Sequence, residues 1–276
     1  MSLSLEQLSK HAIRIASLAG DAIMEYYEQG DYEKFNKEDE SPVTSADYAA
    51  NEVVLAELMR LTPDIPIVSE EVDKLVLDDR IGWSRYWLID PLDGTQEFVA
   101  GRSDFAVNIA LVEDGKPVMG VIHAPVTKVT YWAVKGMGTH KIANGKTKSV
   151  TAKKVNRENP YLRVAISRVQ ALETITKFIK PDIAIEFVSL GSCALKSCLV
   201  AEGTADIYIR VGPTGEWDTG APQVIVEEAG GCIIDSEFNP LTYNKRESLL
   251  NPNFMVTSDA SFDWSEIIIP HSSRRD

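Results

Sequence analysis

A short apolar run, Tyr86-Trp87-Leu88-Ile89, passes directly into Asp90-Pro91-Leu92-Asp93-Gly94-Thr95, and this junction constrains the chain more than any other segment. Consecutive apolar residues of this kind read as a buried strand. Pro91 has no N–H to give a ladder, and Gly94 tolerates backbone angles that other residues avoid, so a sharp turn is predicted at the strand's end. Such a turn aims the Asp90 and Asp93 carboxylates at one point, with the Leu92 carbonyl between them. All-oxygen donors so arranged suit a hard cation such as Mg²⁺, and the amides of Gly94 and Thr95 are then placed to meet a phosphate oxygen. The same residues also suit an aspartate-rich turn in which Asp caps its own backbone. At this point both readings stand.

The segments around this junction divide the chain into two halves. Residues 4–29 form a predicted amphipathic helix, with Leu5, Leu8, Ala12, Ile15, Ala19, Ile23 and Tyr26 on one stripe and a Ser4/Gln7 capping box. A charged loop is expected over 31–41, a second helix over 44–60 and a short strand over 65–68. Apolar runs at 105–112 and 117–122 flank Glu113-Asp114-Gly115-Lys116, a hairpin signal, and another strand is predicted at 129–134. From residue 161 the pattern alternates: strands at 164–166, 184–188 and 207–209, helices at 172–179, 192–201 and 218–229. The last helix runs into Gly230-Gly231, where a left-handed C-terminal residue is expected. The reading is an α+β half (1–160) and an α/β half (161–276), packed as lobes with a cleft between them.

Further acidic residues fall at predicted element ends. Glu70 and Glu71 close the 65–68 strand, Asp218 opens the last helix after Glu216-Trp217, and Asp47 lies three residues after Thr44. Each has an ordinary explanation: solvated surface for the glutamates, an N-cap for Asp218, a capping box for Asp47. Their joint occurrence at strand and helix ends calls for a further cause.

Other chemistries fit less well. Aspartyl-phosphate phosphatases use D-x-D-G-T; the extra residue between Asp90 and Asp93 favours metal ligation and attack by water instead. No G-x-x-x-x-G-K-[ST] loop and no G-x-S-x-G elbow occur. The four histidines are scattered and receive no role, and Cys193, Cys198 and Cys232 read as small buried residues of a reducing compartment. A net charge of −13 argues against general nucleic-acid binding, although bound cations can invert the field locally. No apolar run approaches the roughly 20 residues of a membrane span. The first residues lack a basic leader, so a cytoplasmic protein is expected. The amphipathic first helix leaves peripheral association with the inner membrane open.

At this point the chain resembles the inositol monophosphatase superfamily. The resemblance lies in the D-P-[LI]-D-G-[ST] signature at Asp90 to Thr95 and in Trp217-Asp218 leading to Gly230-Gly231. Within it, Ser41-Pro42-Val43-Thr44, Val107-Asn108-Ile109-Ala110-Leu111-Val112, Cys198-Leu199-Val200-Ala201-Glu202-Gly203 and Arg246-Glu247-Ser248-Leu249-Leu250-Asn251-Pro252 look like the bacterial 3'(2'),5'-bisphosphate nucleotidases. The resemblance implies a layered α/β/α/β/α sandwich. It implies that Glu70, Asp90, Asp93, Asp218 and the Leu92 carbonyl hold two or more Mg²⁺ ions, with Asp47 and Thr95 activating water. Glu70, Leu92, Asp93, Gly94, Thr95 and Asp218 would surround the scissile phosphate, and Gly191, Ser192 and Lys196 would hold the nucleotide. The implied reaction is hydrolysis of adenosine 3',5'-bisphosphate to AMP and phosphate, sensitive to lithium and serving sulfate assimilation or nucleotide recycling. The alternatives are an inositol or sugar monophosphatase with the same metals, and a metal- or nucleotide-binding regulator. Gly220 and Pro222 depart from the usual Trp-Asp signature. Ser167-Arg168-Val169-Gln170 replaces the common Ser-Arg-Ser-His, which weakens transfer of nucleotide contacts to that loop.

Overall fold

In the computed structural model, residues 3–36, 42–71, 80–158 and 161–269 are described. The first half comprises α1 (Leu5–Gln29), β1 (Lys34–Asn36), β2 (Pro42–Thr44), α2 (Ser45–Leu61), β3 (Ile67–Ser69), β4 (Arg85–Asp93), α3 (Thr95–Val99), β5 (Ala106–Glu113), β6 (Lys116–Ala124), β7 (Val129–Val134), β8 (Thr139–Ala143) and β9 (Lys146–Val150). The second comprises β10 (Tyr161–Ile166), α4 (Leu172–Thr176), β11 (Ala184–Ser189), α5 (Cys193–Ala201), β12 (Ile207–Arg210), α6 (Trp217–Ala229), β13 (Cys232–Asp235) and β14 (Phe254–Thr257).

Two sheets carry the architecture. Strands β3 to β9 lie side by side in chain order, β3 parallel to β4 and the rest antiparallel. The second sheet has the order β11-β10-β12-β14-β13, with β14 antiparallel to both neighbours. Side-chain alternation along β4 and β5 explains the layering. Trp87, Ile89, Val107, Ile109 and Leu111 face α1 and α2, where they bury Leu8, Ile15, Ile23, Val54 and Leu58. Tyr86, Leu88, Ala110 and Val112 face the other way, into a core shared with α5, α6 and the inner face of the second sheet. The outer face of the second sheet packs on Ile175 of α4 and on Trp264. The layers are therefore α/β/α/β/α. Because α6 from the second half lies directly on the first half's sheet, the middle layer joins the two halves in one core. The closeness is extreme at Gly120, where a Cβ would stand 2.6 Å from the Ala221 carbonyl oxygen.

The helix caps follow the sequence. Ser4 and Gln7 form the capping box of α1, Thr44 and Asp47 that of α2, and Gly230 closes α6 at φ +103°. The expected hairpin turns at Asp114-Gly115, both at positive φ. Other elements differ. The 172–179 helix ends at Thr176, and Ile179 instead bridges to Ile268. The β8–β9 hairpin, turning at Asn144-Gly145, was not anticipated although it carries a strong two-residue turn signal. The expected 31–41 loop contributes β1 and otherwise lies partly outside the described residues. Among the described residues no helix is long and apolar enough to cross a membrane, and α1's apolar stripe is buried against α2 and the sheet.

Candidate active site

The 90–95 junction does not turn where expected. Strand β4 continues through Asp90, Pro91, Leu92 and Asp93, and the chain turns only at Gly94. What Pro91 does is break the ladder: Asp90 pairs with Asn108 and Asp93 with Ala106, so β4 has one more residue than β5 in this interval. That extra residue matters chemically. In a regular strand Asp90 and Asp93 would point to opposite faces, and a bulge restores them to the same one. Leu92 meanwhile packs into the α1–α2 core.

Asp218, the second residue of α6, completes the group. Asp90, Asp93 and Asp218 each present a carboxylate oxygen, all within 4.8 Å of one another. Burial first, and then the charges of Glu70, Asp93 and Asp218, raise the Asp90 pKa well above its ordinary value. Asp218 is raised likewise by burial, Asp93 and Glu70. A bound cation would reverse the balance by offsetting both desolvation and like-charge repulsion. Asp90 Oδ1 accepts from the Leu92 amide at 3.0 Å, while its Oδ2 is buried without a hydrogen-bond partner among the described residues. An oxygen-only set with an orphaned carboxylate oxygen fits a hard divalent cation. Glu70 follows β3, whose parallel pairing with β4 brings it to the same sheet end, and its amide donates to the Ile89 carbonyl at 3.2 Å. It stands outside the mutual group of three, yet its charge acts on both Asp90 and Asp218.

Asp47 and Thr95 meet at the edge of this group. Asp47 Oδ2 accepts from the Thr44 amide at 2.8 Å, its arm of the capping box, and also from the Thr44 hydroxyl at 2.6 Å. Its other oxygen accepts from the Thr95 hydroxyl at 3.0 Å, and that hydroxyl also lies 3.2 Å from the Leu92 carbonyl. Gly94 makes the placement of Thr95 feasible: at φ +99° it caps α3, and a Cβ there would lie 2.9 Å from the Asp104 carbonyl oxygen.

The second-half residues expected at the nucleotide also carry contacts within the protein. Ser192 donates its hydroxyl to Asp93 and accepts from the Leu195 amide, and the Cys193 and Ala194 amides donate to Asp93 at 3.2 and 2.7 Å. The Gly191-Ser192 loop and the α5 start therefore hold Asp93, a partner the helix N-terminus favours electrostatically. Gly191 donates to Asp104 at 3.1 Å, and Asp104 is ion-paired with Arg168. Lys196, expected as an open phosphate contact, is 3% exposed. Its ammonium donates to the Ser192 carbonyl at 2.7 Å and lies 5.0 Å from the centre of the Tyr208 ring, and burial lowers its pKa. Arg210 was missed by the sequence reading. It is partly exposed, its Nε has no hydrogen-bond partner among the described residues, and the charges of Asp218 and Asp93 act on it. A lone Arg at a strand end carries no sequence signal for this. Glu216 and Arg80 were missed too: buried Glu216 accepts from the Asn244 amide, while Arg80 donates to the Asn244 side chain, tying the start of α6 to the first half.

The comparisons with known proteins agree with this fold. The inositol monophosphatase family profile matches residues 4–263. The 3'(2'),5'-bisphosphate nucleotidase CysQ of Haemophilus influenzae is 42% identical over 262 residues, 95% of this chain and 97% of that protein. The Salmonella typhimurium protein of the same name is 46% identical over 88% of this chain and 97% of its own length. The crystal structure of CysQ from Bacteroides thetaiotaomicron, a bacterial member of the inositol monophosphatase family, superposes with a TM-score of 0.76 at 38% identity, covering 92% of this chain and 97% of that one. The fold, the Asp-Pro-Leu-Asp-Gly-Thr strand end and the Trp-Asp helix start define the class: this chain belongs to the inositol monophosphatase family.

Proposed function

We propose that the chain hydrolyses the 3'-phosphate of adenosine 3',5'-bisphosphate, one water being consumed and AMP and inorganic phosphate released. The observation that carries this is the meeting of Asp90, Asp93 and Asp218 beside the Asp47–Thr95 pair, in a chain 42–46% identical along most of its length to proteins named for that activity. Magnesium is the proposed cation, held by Asp90, Asp93, Asp218, Glu70 and the Leu92 carbonyl. When bound, such ions supply Lewis acidity and charge neutralisation at the phosphoryl oxygens.

The chain's own residues do the rest. Asp47 draws the Thr95 hydroxyl proton toward itself, so Thr95 presents its oxygen lone pairs to an incoming water and accepts a hydrogen bond from it. Asp47 then takes up the proton through Thr95 as the water attacks. The backbone of Gly94 and Thr95 lies where the scissile phosphate would sit against the strand end. The α5 start fixes Asp93 through three donors, which removes rotamer freedom from a principal ligand. For the remaining phosphate, Arg210 is the second-half cation assigned: it is partly exposed and keeps Nε unpaired among the described residues while its Nη2 donates to the Pro213 carbonyl, whereas Lys196 is buried on the carbonyls of its own loop. A polyanionic substrate meets an acidic protein on these terms: carboxylates gather cations, and the cations and Arg210 gather phosphate.

The test is kcat/KM for adenosine 3',5'-bisphosphate and for inositol 1-phosphate, both with Mg²⁺, on the purified protein. A preference of at least tenfold for the nucleotide is expected. Preference for the inositol ester would overturn the substrate assignment, and no Mg²⁺-dependent phosphate release from either would overturn the enzymatic one.

A further inference from the structure

Asn108 stands in the middle of β5, 1% exposed, and neither its Oδ1 nor its Nδ2 has a hydrogen-bond partner among the described residues. The stripe it belongs to is otherwise apolar: Ala106 and Ala110 precede and follow it on the same face, and Ile122 is its neighbour across β6. A buried amide without partners is destabilising in a way that an apolar residue of similar shape is not. Such a group in a stripe of alanines calls for a use.

The ladder supplies one. Asn108 is directly opposite Asp90 on β4, and directly opposed side chains on one face have Cβ atoms about 4.5–5.5 Å apart. Asp90 has the complementary deficit. The Leu92 amide occupies Oδ1, and Oδ2 is buried without a partner among the described residues. An orphaned donor therefore stands beside an orphaned acceptor, at the last regular pair before the bulge. Resting on the reading of Asp90 as a cation ligand, we propose that Asn108 is a positioning residue: its Nδ2 donates to Asp90 Oδ2 through one buried water and fixes the plane of that carboxylate. The Leu92 amide then holds one oxygen and Asn108 the other. A neutral amide suits this place better than Lys or Arg, because a fixed positive charge beside Asp90 would compete with the cation. Nothing in the stripe would hold the carboxylate if Asn108 were apolar.

The test compares N108V with N108T, which share shape and strand propensity and differ by one hydroxyl. Mg²⁺ affinity is measured by calorimetric titration without substrate, and kcat and KM are measured separately. Hydrogen bonds behind a metal ligand are worth about 10–100-fold in metal affinity or activity, so N108V should weaken Mg²⁺ binding by about tenfold or more. N108T should stay within about threefold of the parent on the same argument, and KM for the nucleotide should be unchanged in both. Equal Mg²⁺ affinity in N108V and N108T, whether both normal or both weakened, would overturn the proposal, because packing alone would then account for Asn108. Should N108V not fold, N108A and N108S make the same comparison. A parent protein that binds Mg²⁺ but releases no phosphate from the nucleotide would sink the functional reading and leave this test intact.

Discussion

Replacing Asp47 by Asn separates the two duties of one carboxylate. Oδ2 accepts two hydrogen bonds from Thr44 and supports the cap of α2, while Oδ1 accepts from the Thr95 hydroxyl. An Asn amide has one acceptor oxygen, and the side with two donors claims it. The Nδ2 group is then turned to Thr95, reversing that hydrogen bond so that the hydroxyl accepts and cannot pass its proton on. The cap survives, weakened by the loss of charge, at a cost of about 1 kcal/mol. Activity should suffer far more. Removing a positioned general base lowers the rate by about 10²–10⁴, or roughly 3–5 kcal/mol in the barrier.

The assay is phosphate release at saturating Mg²⁺ and nucleotide, paired with a thermal denaturation curve. Asp47→Asn should melt within a few degrees of the parent and lose at least a hundredfold in kcat. Thr95→Val, which deletes the relay, should lose a comparable factor, and the double variant should be no slower than the worse single one. Groups acting as a unit show this non-additivity. A kcat for Asp47→Asn within threefold of the parent would refute the assignment. Multiplying losses in the double variant would refute the shared proton path.

Two further outcomes follow from other positions. His123, on β6, is buried against α1 with Nδ1 2.8 Å from the Thr130 hydroxyl, and burial lowers its pKa from 6.5 to about 4. The unfolded chain thus binds a proton that the folded one refuses, so stability should fall by up to about 3 kcal/mol as pH drops from above 6.5 to below 4; a urea midpoint series in which His123→Gln keeps the same pH slope over that window would count against this. At Gly191 a Cβ would stand 2.8 Å from Asp104 Cβ and closer still to Glu97 Cγ, so Gly191→Ala should displace the loop that holds Asp93. Overpacking of this sort costs about 1–3 kcal/mol, and normal Mg²⁺ affinity in that variant would show that the loop does not set the Asp93 position.

The elements that hold the site were legible wherever one local rule decided them. Ser4/Gln7 and Thr44/Asp47 announced their helices through caps, and Asp114-Gly115 announced its hairpin through a turn that needs positive φ. The bulge at Pro91 was not legible in form. The sequence says that Pro91 interrupts a ladder, but whether the strand ends or carries on with an extra residue depends on β5, whose Asn108 and Ala106 continue the pairing on either side. Nor does the sequence show that Ser192 meets Asp93 or that Gly191 meets Asp104, since each partner is about ninety to a hundred positions away and is reached only through packing of α5 on the sheet. Arg210 and Asn108 share that limitation: each is an ordinary strand residue until its neighbours across the fold are known.

For the acidic residues the structural and the catalytic explanations turn out not to compete. Asp90 gives Oδ1 to the Leu92 amide and keeps Oδ2 for the site; Asp218 gives Oδ2 to the Gly215 amide; Asp47 gives Oδ2 to its helix and Oδ1 to Thr95. In each case the bond that makes the residue look like an ordinary cap also orients the second oxygen. A carboxylate held by one oxygen has fewer orientations open to it, and a restricted plane is what a ligand or base requires. Asp93 is the exception, with both oxygens taken by the α5 start. Its capacity toward a cation therefore rests on lone pairs left over from those bonds, which makes the α5 loop part of the metal site rather than a wall beside it. This is why a substitution at Gly191, which touches none of the carboxylates through a side chain of its own, belongs among the strongest tests of the site.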